Sequence, residues 1–515
     1  MNELPADVGA LVGHWRRATP DREAVRFGQR SWTWAEFAGR VERNAAAQVA
    51  AGLRPGDRVA VWDRNSPLHL ETMLGCLRAG TVLVPVNFRY SAEEAGYLIK
   101  DARARLLIVG GEFRHLADSI ASGLPSVARV VTGDDDQYER WLAGAGPAIG
   151  LPDPRADACF LQIYTSGTTG FPKGAMLTGA NLTANAVALG PAVGVSRGSV
   201  WMAGLPSFHI VSPAWALTAL YHGARVVIAR DTDPPALLDE IIRQRVTHVI
   251  LVPATLAAFL NVPDVASRDY SRVEALTYCA SPIAPSLLRR CLQTFPVPIV
   301  QGYGMTECSP AISILGDREH RDAGNPRRLA SAGKPIPGTE VQIADLASGT
   351  PLGPGHVGEV LVRSRQVMLG YWDGTGPDSS AITADGWLHT GDTGYLDSAG
   401  YLYLTGRLKD MFIRGGDNVY AAEVERVLAE HPDVAEAAVI GVPDDTWGEV
   451  GLAFLVPAAG AEVDVPGVLR HCREHLAEYK CPASVAVVGE LPRNALGKVA
   501  KEELRERAVA SESAA

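Results

Sequence analysis

Apolar and polar positions along the first 150 residues form a repeating pattern of short apolar runs and longer amphipathic stretches. The runs at 57–62, 82–86 and 105–109 are rich in β-branched side chains, which favours buried strands. Between them, the segments 67–79 and 91–101 have helical patterns. Because strands that alternate with helices pair in parallel, this pattern predicts a mostly parallel sheet that is covered on both faces.

The same alternation resumes in the middle of the chain. Helical patterns at 180–189, 235–244 and 285–294 separate further short apolar runs. Two α/β blocks in succession predict two sheet subdomains. The strand-like runs of the second block lie at 200–205, 224–229, 247–252, 274–279 and 297–301.

The composition and the hydrophobic pattern of the chain change after residue 330. The stretch 331–404 is rich in glycine and proline and contains short strand-like pieces, which predicts a β-rich subdomain. Beyond a boundary at 407–410, about 105 residues carry mixed helix and strand patterns, which is the size of a small domain. The predicted organisation is a large N-terminal α/β domain at 1–406, a connecting segment at 407–410 and a small α+β C-terminal domain at 411–515.

Composition and charge narrow the function classes. The 515 residues are 47% apolar and 21% charged, which is ordinary for a folded soluble protein. No stretch reaches the roughly 18 apolar residues of a membrane-spanning helix, and the N-terminus lacks a signal-peptide pattern, so a cytoplasmic protein without an integral membrane segment is expected. Seven cysteines without a C-x-x-C pair agree with reduced thiols. The formal net charge of -10 argues against nucleic acid as a partner.

The stretch 164–174, with the sequence YTSGTTGFPKG, predicts an anion-binding loop. Its glycines free the backbone to present N–H groups, while hydroxyl side chains and the Lys173 ammonium add donors for a polyphosphate. Lys173 follows a proline and precedes a glycine, so the stretch is not a Walker A loop, and its glycine spacing excludes a dinucleotide fingerprint. A surface turn is the alternative. The residues concerned are Thr165, Ser166, Gly167, Thr168, Thr169, Gly170 and Lys173.

A second cluster, QGYGMTE at 301–307, directly follows a strand-like run. Turns at the carboxyl ends of strands in open α/β sheets are places where ligands bind. Tyr303 offers a flat face for stacking, and the Glu307 carboxylate is a hard oxygen ligand suited to Mg2+. The alternative is structural, with Tyr303 in the core and Glu307 at a helix N-terminus. The candidate residues are Gln301, Gly302, Tyr303, Gly304, Met305, Thr306 and Glu307.

Three later motifs complete the set of candidates. LHTGD ends at Asp392, TGRLKD contains Arg407 and Lys409, and PRNALGK ends at Lys498. Each string alone is typical of a turn or a solvated charge. In this order across 164–498, however, the motifs closely resemble those of the adenylate-forming enzymes, the superfamily of acyl-CoA synthetases, firefly luciferase and adenylation domains. The resemblance covers essentially the whole chain and is greatest to an acyl-CoA synthetase.

This resemblance implies an ATP-dependent, AMP-forming ligase that joins a carboxylic acid to CoA. Such an enzyme converts the acid and ATP into acyl-AMP and pyrophosphate, and then transfers the acyl group to CoA. The implied co-substrates are ATP and CoA, and Mg2+ would be bound by Glu307. The N-terminal domain would bind ATP and the acid, and the mobile C-terminal domain would turn about a hinge at Lys409 between the two half-reactions.

The resemblance also implies roles for individual positions. Lys498 would stabilise the charge that develops during adenylation, while Lys173 and its loop would hold the β- and γ-phosphates. Gly415 and Gly416 match the turn that lines the CoA channel. The other nucleotide contacts would be Gln301 and Tyr303 at adenine, Thr306 at the α-phosphate, Asp392 and Arg407 at the ribose, and Asn418 at the nucleotide or the acyl group.

Two segments carry information on the acid. Where many relatives have Gly-Gly-Ala-Pro, residues 279–282 are Cys-Ala-Ser-Pro, so Cβ atoms now occupy positions where those relatives have none and are expected to crowd the adenine or acyl end of the pocket. Ala280, Ser281 and Pro282 are candidate pocket residues. LPSFHIVSP has His209 where enzymes that select amino acids have an aspartate. Because an unpaired ammonium is costly to bury, a free carboxylic acid is the expected substrate. The acyl-pocket candidates are His209, Ile210, Val211, Ser212, Trp215, Ser309 and Pro310.

Several alternatives stay open. The acyl acceptor is CoA or a carrier protein, and an enzyme of this pattern can also perform only one of the two half-reactions. A binding protein that has lost turnover is disfavoured by the presence of Lys498, Glu307 and Asp392. The identity of the acid depends on pocket shape, which sequence does not provide. A homodimer is the default oligomeric state.

Overall fold

Helices and strands alternate over the first two thirds of the chain, as the apolar pattern predicted. In the computed structural model the described residues are 4–124, 127, 129–132, 135–146, 151, 155–165, 172–230, 233–322, 324–414, 417–444, 446–494 and 498–512. The first block contains α1 Leu11–Ala18, β1 Glu23–Phe27, β2 Arg30–Thr33, α2 Trp34–Ala50, β3 Arg58–Trp62, α3 Pro67–Ala79, β4 Val82–Pro85, α4 Ala92–Asp101, β5 Ala104–Val109, α5 Arg114–Ile120, β6 Arg129–Thr132 and α6 Asp135–Ala143.

The second block begins with an antiparallel pair and then returns to the alternation of strands and helices. It contains β7 Cys159–Thr165, β8 Lys173–Thr178, α7 Gly179–Ala192, β9 Val200–Ala203, α8 Val211–Tyr221, β10 Arg225–Ile228, α9 Pro234–Arg243, β11 His248–Leu251, α10 Pro253–Phe259, β12 Ala275–Cys279, α11 Pro285–Thr294, β13 Ile299–Gly304, β14 Ala311–Leu315 and α12 Asp317–His320.

The remaining elements are mostly strands up to residue 407 and mixed thereafter. The β-rich segment contains β15 Lys334–Pro335, β16 Thr339–Ala344, β17 Gly358–Ser364, β18 Gly370–Trp372, β19 Pro377–Asp378, β20 Leu388–Leu396 and β21 Leu402–Arg407. The last segment contains β22 Met411–Arg414, β23 Asp417–Tyr420, α13 Ala421–Leu428, β24 Val434–Asp444, β25 Gly448–Pro457, α14 Val465–His475, β26 Ser484–Val487 and α15 Lys501–Glu512.

Two large sheets organise the N-terminal part. The first sheet has the strand order β15-β14-β13-β12-β11-β9-β10-β1-β2, and the second has the order β19-β18-β8-β7-β4-β3-β5-β6. Inner strands pair in parallel, whereas β2, β8, β14, β15, β18 and β19 add antiparallel edges. The predicted mixed α/β fold with two mostly parallel sheets is therefore confirmed.

Local sequence signals explain where several helices begin. The Thr33 backbone N–H donates to Glu36 Oε2 over 2.8 Å, and the Glu36 N–H donates to Thr33 Oγ1 over 3.3 Å, which is a complete capping box for α2. Ser91 and Glu94 form the same reciprocal pair before α4. Each box satisfies two N–H groups that have no partner inside the helix, which stabilises the helix start.

A continuous hydrophobic core joins the two sheets through the helices between them. Val59 of the second sheet, Trp201 of the first sheet, Phe37 of α2 and Trp215 of α8 all belong to this core, and none is more than 1% exposed. Burial of each such side chain contributes about 1.5–3 kcal/mol relative to exposure. The sheets and their helices are therefore held as one packed body.

The last segment has a sheet and a core of its own. The order β23-β22-β25-β24, with β26 beside β25, packs on α13 and α14 through side chains such as Phe412, Val424 and Leu455. The 3-10 turn Leu408–Asp410 connects this sheet to β21 of the β-rich sheet β16-β17-β20-β21, at the position of the predicted connecting segment. Within the described ranges, no helix has the length and apolar character needed to cross a membrane.

Candidate active site

The end of β13 meets the strand pair β20–β21. The Tyr303 hydroxyl donates a hydrogen bond to Asp392 Oδ2 over 2.7 Å, although 89 positions separate the two residues. Arg407 Nε lies 3.1 Å from Asp392 Oδ1, because Asp392 and Arg407 are paired across β20 and β21. The structure therefore brings three of the predicted site residues into direct contact.

This contact has a defined protonation pattern. Asp392 is only 6% exposed, and a buried carboxylate needs partners. Burial of Tyr303, together with the adjacent Asp392 charge, raises the pKa of the Tyr303 hydroxyl well above its ordinary value. The phenol consequently keeps its proton and donates a hydrogen bond to Asp392, while Arg407 supplies the compensating positive charge.

Gly304 is required by close backbone packing. A Cβ atom at this position would lie 1.8 Å from the Pro310 carbonyl oxygen, which accepts a hydrogen bond from the Met305 N–H over 2.9 Å. At Gly302 a Cβ atom would meet only ordinary contacts, at 3.7 Å from Ile314 and 3.8 Å from Cys279. The absence of a side chain at Gly304 therefore has a steric reason within the fold.

Gln301 is oriented by a chain of side chains behind it. The Tyr278 hydroxyl lies 3.2 Å from Gln301 Oε1 and 3.0 Å from His320 Nε2. His320 Nδ1 lies 2.6 Å from the Gly316 carbonyl oxygen, to which it donates. Burial lowers the pKa of His320, so its ring is neutral and Nε2 is an acceptor. The single Tyr278 hydroxyl proton therefore serves two acceptors, His320 Nε2 and Gln301 Oε1, one at a time.

Glu307 is buried in the 3-10 turn Thr306–Cys308 and is 6% exposed. Its Oε1 accepts a hydrogen bond from the Tyr371 hydroxyl over 2.6 Å. Tyr371 was not among the predicted site residues, because no motif connects it to Glu307, 64 positions earlier. Burial and the Glu307 charge raise the pKa of Tyr371, so Tyr371 acts as a permanent donor to this carboxylate.

Lys173 approaches the same tyrosine from β8. Its Nζ lies 5.4 Å from the centroid of the Tyr371 ring, since β8 and β18 are antiparallel neighbours with Tyr371 opposite Ala175. Thr165 is paired with Lys173 across β7 and β8, and its hydroxyl donates to the Lys173 carbonyl oxygen over 3.5 Å. The predicted loop residues Ser166, Gly167, Thr168, Thr169 and Gly170 lie outside the described residues.

Lys498 reaches this site from the C-terminal segment. Its backbone is fixed by reciprocal hydrogen bonds with Asn494, at 3.0 Å and 2.8 Å. Crowding protein atoms desolvate its ammonium group, and this effect together with the Arg407 charge lowers the pKa of Lys498, against the opposing attraction of Asp392 and Glu307. The structure thus gathers a lysine, two carboxylates and an arginine from distant parts of the chain.

His209 is a neutral base beside this charge cluster. Burial, with added repulsion from Lys498 and Arg89, lowers the pKa of His209 to about 3. Its ring packs on Phe208 at a centroid distance of 4.4 Å, and Phe208 contacts Phe88 at 5.5 Å. Desolvation without a carboxylate partner is sufficient to keep this imidazole uncharged.

The other acyl-pocket candidates differ in accessibility. Val211 and Pro310 are half-buried, and Trp215 lies in the core at 4.0 Å from the Trp201 ring. Ser309 is fully buried and donates its hydroxyl to the Gln366 carbonyl oxygen over 2.8 Å. Ile210, Ser212, Trp215 and Ser309 are each at most 4% exposed.

Ala280 follows β12 in a left-handed backbone conformation. Its φ angle is 72°, a region that costs a residue with a Cβ atom about 1–2 kcal/mol. Cys279 is paired with Gly302, so the segment lies beside the end of β13, and Ala280, Ser281 and Pro282 are exposed there. The backbone explains why glycine suits this position.

The structure describes some of the residues that were predicted for the hinge and the CoA channel. Lys409 is exposed in the turn Leu408–Asp410, and its carbonyl oxygen accepts a long hydrogen bond of 3.5 Å from Arg505 of α15. Asn418 contributes its backbone to β23 opposite Ile413. Gly415 and Gly416 lie outside the described residues.

Two family models cover most of the chain. The model of AMP-binding enzymes matches residues 13–372, and the model of the AMP-binding enzyme C-terminal domain matches residues 423–498. A solved structure of ATP-bound MatB from Rhodopseudomonas palustris superposes with a TM-score of 0.89, at 30% identity over 98% of this chain and 99% of that chain. MenE from Bacillus subtilis, in complex with the acyl-adenylate intermediate OSB-AMP, gives 0.84 at 31% identity over 96% and 97%.

Three curated relatives span nearly the same length. A feruloyl-CoA synthase from Amycolatopsis sp is 40% identical over 96% of this chain and 99% of the relative. An indoleacetate–CoA ligase from Aromatoleum aromaticum is 38% identical over 95% of each. The fatty acid–[acyl-carrier-protein] ligase ScoC from Streptomyces coeruleorubidus is 35% identical over 95% of this chain and 94% of the relative.

Proposed function

This chain belongs to the family of AMP-binding enzymes, and we propose that it couples an aryl-substituted carboxylic acid to CoA through an acyl-AMP intermediate. It is an AMP-forming acyl-CoA ligase that uses ATP and CoA. The aryl character of the acid, the roles of individual residues and the metal ion are parts of the proposal.

The position of Lys498 is the observation that supports the proposed chemistry most strongly. It comes from the C-terminal segment, yet it interacts electrostatically with Asp392, Glu307 and Arg407 of the N-terminal part. Lys498 keeps exposed surface, yet partial desolvation and the Arg407 charge lower its pKa. A cation at this place is positioned for a reaction in which negative charge develops near the nucleotide.

In the proposed first half-reaction, a carboxylate oxygen of the acid attacks the α-phosphorus of ATP, and the bond to pyrophosphate breaks. Asp392, held by Tyr303 and Arg407, would accept the ribose hydroxyls. Lys173 would bind the β- and γ-phosphates, and Lys498 would stabilise the charge on the reacting phosphate. In the second half-reaction the CoA thiol attacks the acyl carbonyl, and AMP leaves.

The residues around Glu307 fit a magnesium ion. One carboxylate oxygen accepts the Tyr371 hydroxyl, while Oε2 makes no hydrogen bond to any residue that the structure describes. A carboxylate oxygen left available in this way is the kind of hard ligand that Mg2+ prefers. Mg2+ bound here would neutralise phosphate charge. Tyr371 would orient the Glu307 oxygens toward it.

The aromatic nature of the acid is supported by the residues near His209 and by the relatives. The neutral imidazole lies against Phe208, which contacts Phe88, so this wall offers flat aromatic rings. Aromatic rings pack well against such surfaces. Two of the relatives act, by their names, on feruloyl and indoleacetate substrates.

A competition among carboxylic acids tests the substrate proposal. The enzyme would be incubated with ATP, Mg2+ and CoA, and with ferulate, indole-3-acetate, phenylacetate, decanoate or malonate, and acyl-CoA would be quantified by mass spectrometry. We expect kcat/KM at least about 10-fold higher for the best aryl acid than for decanoate or malonate. A preference for decanoate or malonate would refute the aryl assignment. Absence of both pyrophosphate and thioester with all five acids would count against every part of the proposal.

A carrier protein is the second candidate acceptor. It is favoured by the 35% identity with ScoC, whose name gives an acyl carrier protein as acceptor. The preferred acid would be supplied with ATP and either CoA or a phosphopantetheine-bearing carrier protein. Faster acylation of CoA supports the proposal, and faster acylation of the carrier supports the alternative.

A further inference from the structure

An open cavity of about 720 Å³ has basic walls and is lined by none of the candidate site residues described above. Three arginines and one aspartate line it, which leaves two positive charges in a chain whose net charge is -10. Ordinary surfaces intersperse charges of both signs, so this local excess calls for a physical explanation. The lining residues used below are Asp57, Arg58, Arg103, Arg105, Trp372 and Gly374.

The cavity lies where the parallel strands of the second sheet begin. Arg58 is the first residue of β3, and Arg103 and Arg105 flank the first residue of β5. Thr165, in contrast, is the last residue of β7, which runs parallel to β4. The three arginines therefore lie at the amino-terminal ends of the parallel strands, whereas the phosphate loop follows a carboxyl end. A ligand in this cavity would not occupy the ATP site.

The three guanidinium groups are held differently. Arg58 stacks on the Trp372 ring at 3.7 Å and donates to the Gly56 carbonyl oxygen over 2.9 Å. Arg105 forms an ion pair of 3.3 Å with Asp57. The exposed Arg103 guanidinium, near Gly374, makes no hydrogen bond or ion pair with the residues that the structure describes. Arg58 is thus preorganised, Arg105 is neutralised by Asp57, and Arg103 is unpaired among the described residues.

Arg58 and Arg103 repel each other in this arrangement. Burial lowers the pKa of Arg58 most, Asp57 opposes this shift, and the Arg103 charge adds a smaller lowering influence. A bound anion would relieve this repulsion and replace lost hydration. Arginine is suited to this role because its planar guanidinium presents paired N–H donors to phosphate oxygens.

We propose that this cavity is a binding site for a phosphate dianion, with Arg103 and Arg58 as its principal ligands. Inorganic phosphate and a phosphate monoester of a nucleotide share this chemistry. Arg103 lies beside the Gly374 turn in the cavity wall, and the Trp372 ring, already covered by Arg58, fixes the direction of the Arg58 donors. The site requires no particular acid substrate and is independent of the proposed function.

Isothermal titration calorimetry with inorganic phosphate tests the site on the full-length enzyme. A phosphate-free acylsulfamoyl adenosine would be present to block the ATP site. Asn tolerates a left-handed backbone, and Arg103 has a φ of 52°, so Arg103→Asn removes the guanidinium with little backbone strain. Arg114→Asn is the matched control, because Arg114 is exposed and pairs only loosely with Asp118 at 3.9 Å.

We expect one saturable phosphate site in the wild type, with affinity reduced at least about 10-fold in Arg103→Asn, intermediate in Arg103→Lys and unchanged in Arg114→Asn. Adenosine 3′,5′-bisphosphate in a parallel titration distinguishes the sources, since tighter binding than phosphate that is also lost in Arg103→Asn identifies a nucleotide monoester as ligand. The site does not exist if neither anion binds at millimolar concentration, or if Arg103→Asn binds both as well as the wild type does.

Discussion

Replacement of Tyr371 by phenylalanine isolates one hydrogen bond at the centre of the proposed metal site. The hydroxyl of Tyr371 donates to Glu307 Oε1 over 2.6 Å, and Glu307 is only 6% exposed. Tyr371→Phe deletes this donor and leaves the aromatic ring near Lys173, 5.4 Å from its Nζ. The variant therefore separates the orientation of Glu307 from the packing of Lys173.

The expected magnitude follows from the burial of Glu307. A hydrogen bond to a charged group contributes about 1.5–3 kcal/mol, and water cannot freely replace it at a buried carboxylate. If the whole loss is expressed in the transition state of adenylation, kcat/KM for ATP falls about 10- to 150-fold. The released carboxylate can rotate, so the Mg2+ concentration needed for half-maximal rate should rise as well.

The two half-reactions would be assayed separately. Pyrophosphate release, measured across Mg2+ and ATP concentrations with the preferred acid, reports adenylation, and thioester formation from supplied acyl-AMP reports the second step. We expect Tyr371→Phe to impair the first much more than the second. Tyr395→Phe is a matched control, because Tyr395 stacks on Tyr403 and its hydroxyl makes no hydrogen bond with the described residues.

The result that refutes this reasoning is equally specific. Equal losses in both half-reactions, without a change in Mg2+ dependence, would mean that Tyr371 only supports the fold. Unchanged pyrophosphate release would mean that Glu307 needs no fixed orientation. A second variant, Tyr371→Leu, removes the ring too, and a further loss of about 0.5–1 kcal/mol would measure its contact with Lys173.

Three further predictions concern charge and strain. Lys173→Ala should reduce pyrophosphate release more than thioester formation from supplied acyl-AMP, and equal losses would leave Lys173 with a structural role. The pKa of Lys498 lies below the ordinary lysine value of 10.5, so the adenylation rate should begin to decline below pH 10.5 as the ammonium loses its proton, and Lys498→Ala should lack this decline. His209, with a pKa of about 3, should add no inflection to the pH–rate profile between about pH 5 and 8. Ala280→Gly should relieve the left-handed backbone and stabilise the fold by up to about 1 kcal/mol in thermal unfolding, and a lower melting temperature would contradict the strain argument.

Backbone elements were predictable because their signals are local. The apolar runs and the Thr33–Glu36 capping box depend on residues within one helix or strand, and the structure places α2, α3 and the parallel strands where these signals lie. The antiparallel edges were not predicted. The pairing of β8 with β18, for example, joins segments almost 200 positions apart, and no local pattern encodes it.

The same distinction applies to the candidate site. The glycine-rich turns and the family resemblance of the motifs pointed to Tyr303, Glu307 and Asp392. They gave no indication of the side chains that contact these three residues. The partnership of Glu307 with Tyr371 required the register of β18 on β8, and the need for Gly304 required the position of the Pro310 carbonyl. Residues whose role is to hold another residue carry no chemical signature of their own, so they become visible only through distances.

The contacts that keep Lys498 in the site bear on the proposed second half-reaction. At the connecting turn, Arg505 lies 3.5 Å from the Lys409 carbonyl oxygen and 3.5 Å from Asp410. Long, partly exposed polar contacts of this kind contribute about 0–1 kcal/mol. Lys498 itself is attracted by Asp392 but repelled by Arg407, so the net electrostatic attraction that keeps Lys498 in the site is reduced. Rotation about Lys409, which we propose for the second half-reaction, would therefore break polar contacts at the turn that contribute little free energy.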